Sequence, residues 1–262
     1  MITETEARQQ NLPGSDVFTN RQSAYKNDID RDAFVVSINN EAYKMFLLYP
    51  LIGHYPTLIS DQLKMKTAIA NGAGPSAIQE MSQINMDRLE NMNLEFFYIA
   101  TGFELSFKAC LLQNNYVIHN FENKGNFKEL YNKQQKKEPV HKSELLEAGG
   151  YFYDPIKKKI FLKGITAKSL DFKLICTKPT YTSTLGVTDD ILNIAEDYRN
   201  RRNQIHLPGG DLVDAPNLKR IGKKVMPAMI EFINTNIVDN TNKLRKKHGF
   251  GFGELKRLDY FD

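Results

Sequence analysis

The residue types best suited to chemistry gather in one short stretch, AEDYRNRRNQIHLPGG, Ala195 to Gly210. Three arginines and two asparagines fill Arg199 to Asn203, His206 follows, and Pro208-Gly209-Gly210 closes the run. On an α-helix, at about 100° per residue, Arg199 and His206 are nearly eclipsed and Arg202 lies about 40° from His206. Asn203 stands four after Arg199, so Arg199, Arg202, Asn203 and His206 are expected to form one polar strip. It would lie at the rim of a groove, beside the apolar stripe that Tyr198 and Ile205 complete. Such a strip suits a phosphate. Arginine is a permanently charged planar fork matched to phosphate oxygens, asparagine donates and accepts, and a histidine with an unperturbed pKa of ~6.5 moves protons near neutral pH. Cleavage of RNA needs little more: a base to take the ribose 2′-OH proton and cations to stabilise charge on the phosphate oxygens.

The elements that must carry these residues read as helices. Thr188 is the expected N-cap of the site helix, with Asp189 and Asp190 favourable in its first turn and Ile191, Ile194, Tyr198 and Ile205 as its apolar stripe. The proline and glycines after Leu207 should end it. Met86 to Asn115 carries the longest helical period, with Leu89, Met92, Phe96, Ile99 and Phe103 on one face. Phe97, Leu105, Leu111 and Leu112 widen that face, and Gly102 inside it implies a close helix–helix approach. Glu104 and Lys108 form an i,i+4 pair whose simplest reading is a solvated one. Two helices are expected between Asp32 and Gly72, and a last one over about 215–248, with Pro227 as a candidate kink.

Four regions complete the expected layout. Residues 1–32 read as a polar N-terminal arm, 33–120 and 182–248 as the core of a helical bundle, 121–181 as an insertion, and 249–262 as a loosely packed tail. Within the insertion, GGYFYDPIKKKIFLKG reads as a β-hairpin around an Asp-Pro turn, and SLDFKLICTK as a further strand. The fold class is therefore mainly α, a helical bundle with a small hairpin-containing insertion.

Composition bounds the partners. Net charge is +4, yet residues 199–262 hold thirteen Lys/Arg against seven Asp/Glu, so the rest of the chain sums to −2. That asymmetry points to an anionic partner for the C-terminal quarter. No apolar run is long enough for a membrane span, the first residues lack the apolar core of a secretory signal, and Cys110 and Cys176 sit among apolar neighbours. A cytoplasmic location with free thiols is the expectation. No zinc-type Cys/His spacing and no phosphate-binding glycine loop is present, so no cofactor or metal is expected. A metal-nuclease arrangement of Asp154, Asp171 and Lys173 is a lesser alternative. His54, His119, His141 and His248 read as structural or solvated.

Arg199-Asn200 with His206 gives R-N-x5-H, and Arg201 with His206 gives R-x4-H. An arginine, a polar residue and then a histidine near the end of a helix in a helical protein resembles the HEPN superfamily. IATGFELSFKACLLQNNYVIH more loosely resembles the long partner helix of such proteins. The resemblance covers roughly residues 86–120 and 185–245. It implies a helical bundle that dimerises and sets two copies of the motif around one cleft. It also implies a metal-independent endoribonuclease of a toxin–antitoxin, abortive-infection or antiviral defence system, with an antitoxin or other defence partner. On this reading His206 is the general base and acid, and Arg199 holds the phosphate with Asn200 and Asn203. Arg201 and Arg202 contribute further RNA contacts, although by itself Arg201 reads most simply as a solvated charge. Some relatives carry a tyrosine two residues after the histidine, where a partner modifies it; Pro208 stands there in this chain. The alternative is a non-catalytic module of the same fold that binds nucleic acid or a partner protein.

Overall fold

The computed structural model describes residues 24–25, 27–48, 54–154, 159–162, 164–204, 226–251 and 253–258. The chain is mainly helical. Helices α1 (Asp28–Leu48), α2 (His54–Ala70) and the long α3 (Pro75–Gln113) come first. A mixed stretch follows: β1 (His119–Phe121), α4 (Lys128–Gln135), α5 (Lys142–Glu147), β2 (Tyr151–Asp154), β3 (Lys159–Leu162), β4 (Ile165–Ser169), α6 (Phe172–Thr177) and α7 (Pro179–Leu185). The site helix α8 (Asp189–Gln204) leads on to α9 (Met226–Phe232), a π-helical segment (Ile233–Asp239) and α10 (Asn240–His248).

Helix α3 is the central element, packing on α1, α2 and α8. Phe96, Ile99, Phe103 and Phe107 line its buried face, each at most 6% exposed, and meet Tyr198 of α8 and Phe232 of α9 edge-on or tilted. Phe97, expected to widen this face, is instead 50% exposed, because its position falls one residue outside the stripe. Gly102 lies where α1 crosses α3. A Cβ there would stand 2.9 Å from the ring of Phe46, itself buried edge-on against Phe103. Gly102→Ala is therefore expected to lower the unfolding free energy, the overpacking cost of about 1–3 kcal/mol exceeding the ~1 kcal/mol gain in helix propensity. Urea denaturation reads this directly, and a stabilised variant would refute the close approach.

The segment 121–181 shares the core rather than standing apart from it. Leu130, Val140, Leu145, Ile165, Leu170, Phe172, Ile175 and Tyr181 are buried in the same apolar cluster as α1, α3 and α8. Each short element contributes only one to three of them, too few to set a period in the sequence. The β2–β3 hairpin pairs antiparallel from Tyr151↔Leu162 to Asp154↔Lys159; its turn lies outside the described residues. A second antiparallel pair joins β1 to β4. The stretch read as a strand, SLDFKLICTK, is mostly the helix α6. Asp171 caps it by accepting from the backbone N–H of Lys173 at 2.9 Å, and an Asp N-cap outweighs the β-leaning composition.

The first helix begins earlier than expected, and two histidines take structural roles. The first helix starts at Asp28, within the expected arm, and Tyr25 before it is 1% exposed. The Tyr25 hydroxyl meets His119 Nδ1 at 2.6 Å and accepts from the N–H of Ile118, which makes His119 a structural histidine. Burial drives the Tyr25 hydroxyl pKa far above its ordinary value, against the lowering effect of the Ile118 bond. The last helix leaves regular α geometry over Ile233–Asp239, a π-helical segment that begins six residues after Pro227. His141 caps α5 through a capping box with Glu144. The first part of the expected last helix, 215–225, lies outside the described residues, as does most of the arm.

Candidate functional site

Helix α8 begins as the sequence dictates: the Thr188 hydroxyl accepts from the N–H of Ile191, and Ile191, Ile194 and Tyr198 are buried. Its described part stops at Gln204, so Ile205, His206, Leu207 and the Pro-Gly-Gly stop lie outside the described residues. The five basic and amide residues before them are placed; of the expected strip Arg199 is buried, Arg202 half-buried and Asn203 exposed.

Arg199 is 6% exposed. One of its Nη2 contacts is Asn200 Oδ1 at 2.6 Å and the other Glu196 Oε1 at 3.4 Å, while its Nε is buried with no hydrogen-bond partner. Arg202, three residues on and so on the same side, donates to Glu104 Oε2 at 3.1 Å and lies over the Phe172 ring, 5.8 Å from its centroid. The other oxygen of Glu104 takes Lys108 Nζ at 2.5 Å, and Lys108 also donates to Ser169 Oγ at 2.9 Å. Arg201 turns the other way. It pairs with Asp197 at 2.9 Å and covers the Phe96 ring at 5.4 Å, with only 12% of its side chain exposed. Asn200 and Asn203 are exposed. Asn203 thus separates from Arg199, because the aliphatic stem and guanidinium of Arg199 turn inward.

Two sequence readings are corrected here. The Glu104–Lys108 pair is not solvated: Lys108 keeps 8% of its side-chain exposure and Glu104 keeps 23%. Arg201, whose plainest reading was a solvated charge, is packed on an aromatic ring. The period of α3 carried the signal for Glu104 and Lys108, since both flank Phe103 and Phe107 on the buried side; only the packing of α8 and α6 shows what they meet.

Beneath this network lies Cys176, 4% exposed. Burial pushes its thiol up to about 12, with Arg199 and Arg202 pulling it down and Glu196 and Glu104 pushing it up. Those four charged groups therefore lie within electrostatic reach of one buried sulfur. Cys110 is likewise pushed up to about 12 by burial, and both cysteines are free thiols, held as thiols rather than thiolates. Comparison of the chain with family models, with curated proteins and with solved structures finds no match.

Lys108 and Arg202 thus share Glu104, and Arg199 pairs with Glu196, so that three cations stand against two carboxylates along α8 and α3. A phosphate oxygen offers Arg202 and Lys108 the same acceptor chemistry that Glu104 supplies. Among the described residues, no group of three or more His, Cys, Asp and Glu is placed to hold a metal ion, and Asp171 is engaged as a helix cap.

Removing Glu104 should leave Lys108 and Arg202 facing each other. Glu104→Ala is expected to lower stability by roughly 2–3 kcal/mol, below the usual cost of breaking a fully buried pair because the carboxylate is partly exposed. Added inorganic phosphate should restore part of that loss in thermal unfolding. A stability loss that phosphate leaves untouched would show the cations are not open to an anion.

Proposed function

We propose that the chain is a metal-independent endoribonuclease of HEPN type, cleaving RNA by attack of a ribose 2′-OH on the adjacent phosphorus. His206 serves as general base and acid. Arg199 and Arg202 hold the scissile phosphate, Asn200 and Asn203 line the RNA path, and Arg201 adds backbone charge. One observation carries this reading: three cations against two carboxylates, on the helix face that leads in sequence to a histidine two residues past Gln204. Glu104 keeps the cations from repelling one another until a phosphate arrives.

The proposed assembly is a homodimer with two copies of the motif at one groove. Phe96, Ile99, Phe103, Ile191, Ile194 and Tyr198 are all consumed by the core of a single chain. A second copy would therefore meet other side chains, and Leu94 and Phe97, next to Phe96 along α3, are 46% and 50% exposed. A cytoplasmic defence or toxin role, with a restraining partner protein, belongs to the same reading. Among the described residues no helix is long and apolar enough to cross a membrane.

The test is purified protein with bulk RNA in EDTA. Cleavage is expected to persist and to leave 2′,3′-cyclic phosphate and 5′-OH ends. Activity lost to EDTA and restored by Mg²⁺, or products with 3′-OH ends, would overturn the proposal. A non-catalytic binding module is the second reading. It is favoured by one observation: Arg199, Arg201 and Arg202 each already have an acidic partner within the chain. RNA bound without any cleavage would select it.

A further inference from the structure

The tail, expected to pack loosely, is held by its main chain. Asn242 Nδ2 donates to the carbonyl of Leu255 at 2.9 Å, and the N–H of Leu255 donates back to Asn242 Oδ1 at 3.0 Å. Asn234 does the same for Leu258, at 2.9 and 2.7 Å. Each side-chain amide therefore exchanges both bonds with one residue, as a hydrogen-bonded residue of a neighbouring β-strand would. Between them, the Tyr43 hydroxyl of α1 donates to the carbonyl of Lys256 at 2.6 Å.

The spacing is matched along the helix. Three residues of extended chain advance about 10 Å, and eight residues of α-helix about 12 Å, so Leu255 to Leu258 must be nearly fully extended to reach both amides. Positions eight apart on a regular α-helix differ by about 80° in direction. The wider π turns over Ile233–Asp239 turn less per residue and bring Asn234 and Asn242 towards one face. Leu255 and Leu258 pack half-buried against the core, while Lys256 and Arg257 are exposed. At the flanks, Arg257 pairs with Asp239 at 2.7 Å and Glu254 lies within electrostatic reach of Arg245.

The connection to this segment is different in kind. Gly249, Gly251 and Gly253 alternate along it, and a Cβ at any of them would meet no atom within 4 Å. Phe250, at the start of this connection, packs against the core and stacks on His248, and the tail beyond it is held by the contacts at 255–258. Main-chain hydrogen bonds with side-chain recesses at fixed intervals are the terms on which extended peptides are recognised generally.

We propose that the face formed by α1, the π segment and α10 is a peptide-binding groove. Its ligand class is an extended segment with leucines at i and i+3, and the chain's own Leu255–Leu258 occupies it in cis as an exchangeable ligand. A short glycine-containing tether supplies the cis segment at an effective concentration in the millimolar range, which excludes weaker competitors until the tail is released.

The test uses the full chain and a fluorescent peptide of the sequence Gly253 to Asp259, GELKRLD, with anisotropy as the readout, so it is independent of RNA cleavage. A full-length Leu255→Asp/Leu258→Asp variant cannot fill its own groove and is expected to bind the peptide. Wild type should bind about 10²-fold more weakly, because its tail competes. Adding Asn234→Ala and Asn242→Ala to the tail variant should abolish binding. A tail variant with wild-type circular dichroism and thermal midpoint that binds no better than wild type would overturn the proposal. Should that variant fail to fold, a protease site placed between Gly251 and Gly253 of the otherwise unaltered chain gives the answer. After cutting, the tail fragment is expected to co-elute with the body and to be replaced by excess labelled peptide. A fragment that departs at once, or that no peptide displaces, refutes exchangeable binding.

Discussion

His206→Ala is expected to reduce RNA cleavage by ~10²–10⁴-fold, the usual contribution of a positioned general acid–base. The reason lies in what the rest of the site lacks. Arginine and lysine stay charged at neutral pH, and the carboxylates Glu104 and Glu196 are committed to the cations around Cys176. No described group near the C-terminal end of α8 is free to take a ribose hydroxyl proton and return it to a leaving oxygen. Single-turnover cleavage of a labelled RNA in EDTA, at equal folded fraction by circular dichroism, reads the loss. The pH–rate profile of the wild type should change slope near the histidine range of ~6.5. Full activity in His206→Ala would sink the proposed mechanism.

Arginine substitutions need more care than the sequence suggests. Arg199→Ala would remove a side chain that is 6% exposed and would free Glu196, so lost activity could report lost folding. Arg199→Lys keeps the charge and removes the planar fork. It is expected to lose cleavage while the fold is kept, whereas Arg201→Ala, which detaches an arginine from Asp197 and Phe96, should cost less.

Asp32→Ala is expected to cost about 3 kcal/mol of stability at neutral pH, near the lower end of the range for removing one partner of a buried charge network. The Asp32 side chain is 1% exposed and joins the start of α1 to the end of α10. One oxygen takes Arg31 at 2.7 Å, and the other takes His248 Nε2 at 2.7 Å and Lys247 at 3.1 Å. Arg31 keeps Asp28 and Asn115 after the change, and the half-exposed Lys247 returns to water, which holds the loss at the lower end.

The same carboxylate gives an acid signature. Burial pushes the Asp32 carboxyl up, but the hydrogen bonds from Arg31, His248 and Lys247 together outweigh it and hold its pKa below the ordinary value. A depressed folded pKa means stability that is present above the unfolded carboxylate value, about 4, and is lost as pH falls through the folded value. Wild type should therefore lose stability below about pH 4 while Asp32→Asn, lacking the titration, loses less over the same range. Urea denaturation at pH 7, 5 and 3 measures this; a wild-type advantage that stays constant down to pH 3 would contradict it.

Sequence alone determined what is local. The helix-forming period of α3, the Thr188 cap with two acidic residues behind it, the hairpin of β2 and β3 and the need for a glycine at 102 all follow from spacing and side-chain type. These forces act within a few residues, or, for Gly102, announce themselves by a cost that only a close neighbour explains. It also nominated the basic and amide cluster of α8, because five such residues in succession are more than solubility or helix formation requires. What only the tertiary structure decided is which of those residues meet what. Burial of Arg199, the stacking of Arg201 on Phe96 and the bridge from Arg202 through Glu104 to Lys108 depend on how α3, α6 and α8 cross, and nothing within α8 encodes that crossing. The short elements of 121–181 were misread for the same reason: Phe172 and Ile175 are helical because Asp171 caps them and the core receives them, against their β-leaning composition. The tail was legible only as glycines and aromatics. Its fixation needs two asparagines eight residues apart on a π-distorted helix, a coincidence of direction that sequence spacing read at 3.6 residues per turn does not show.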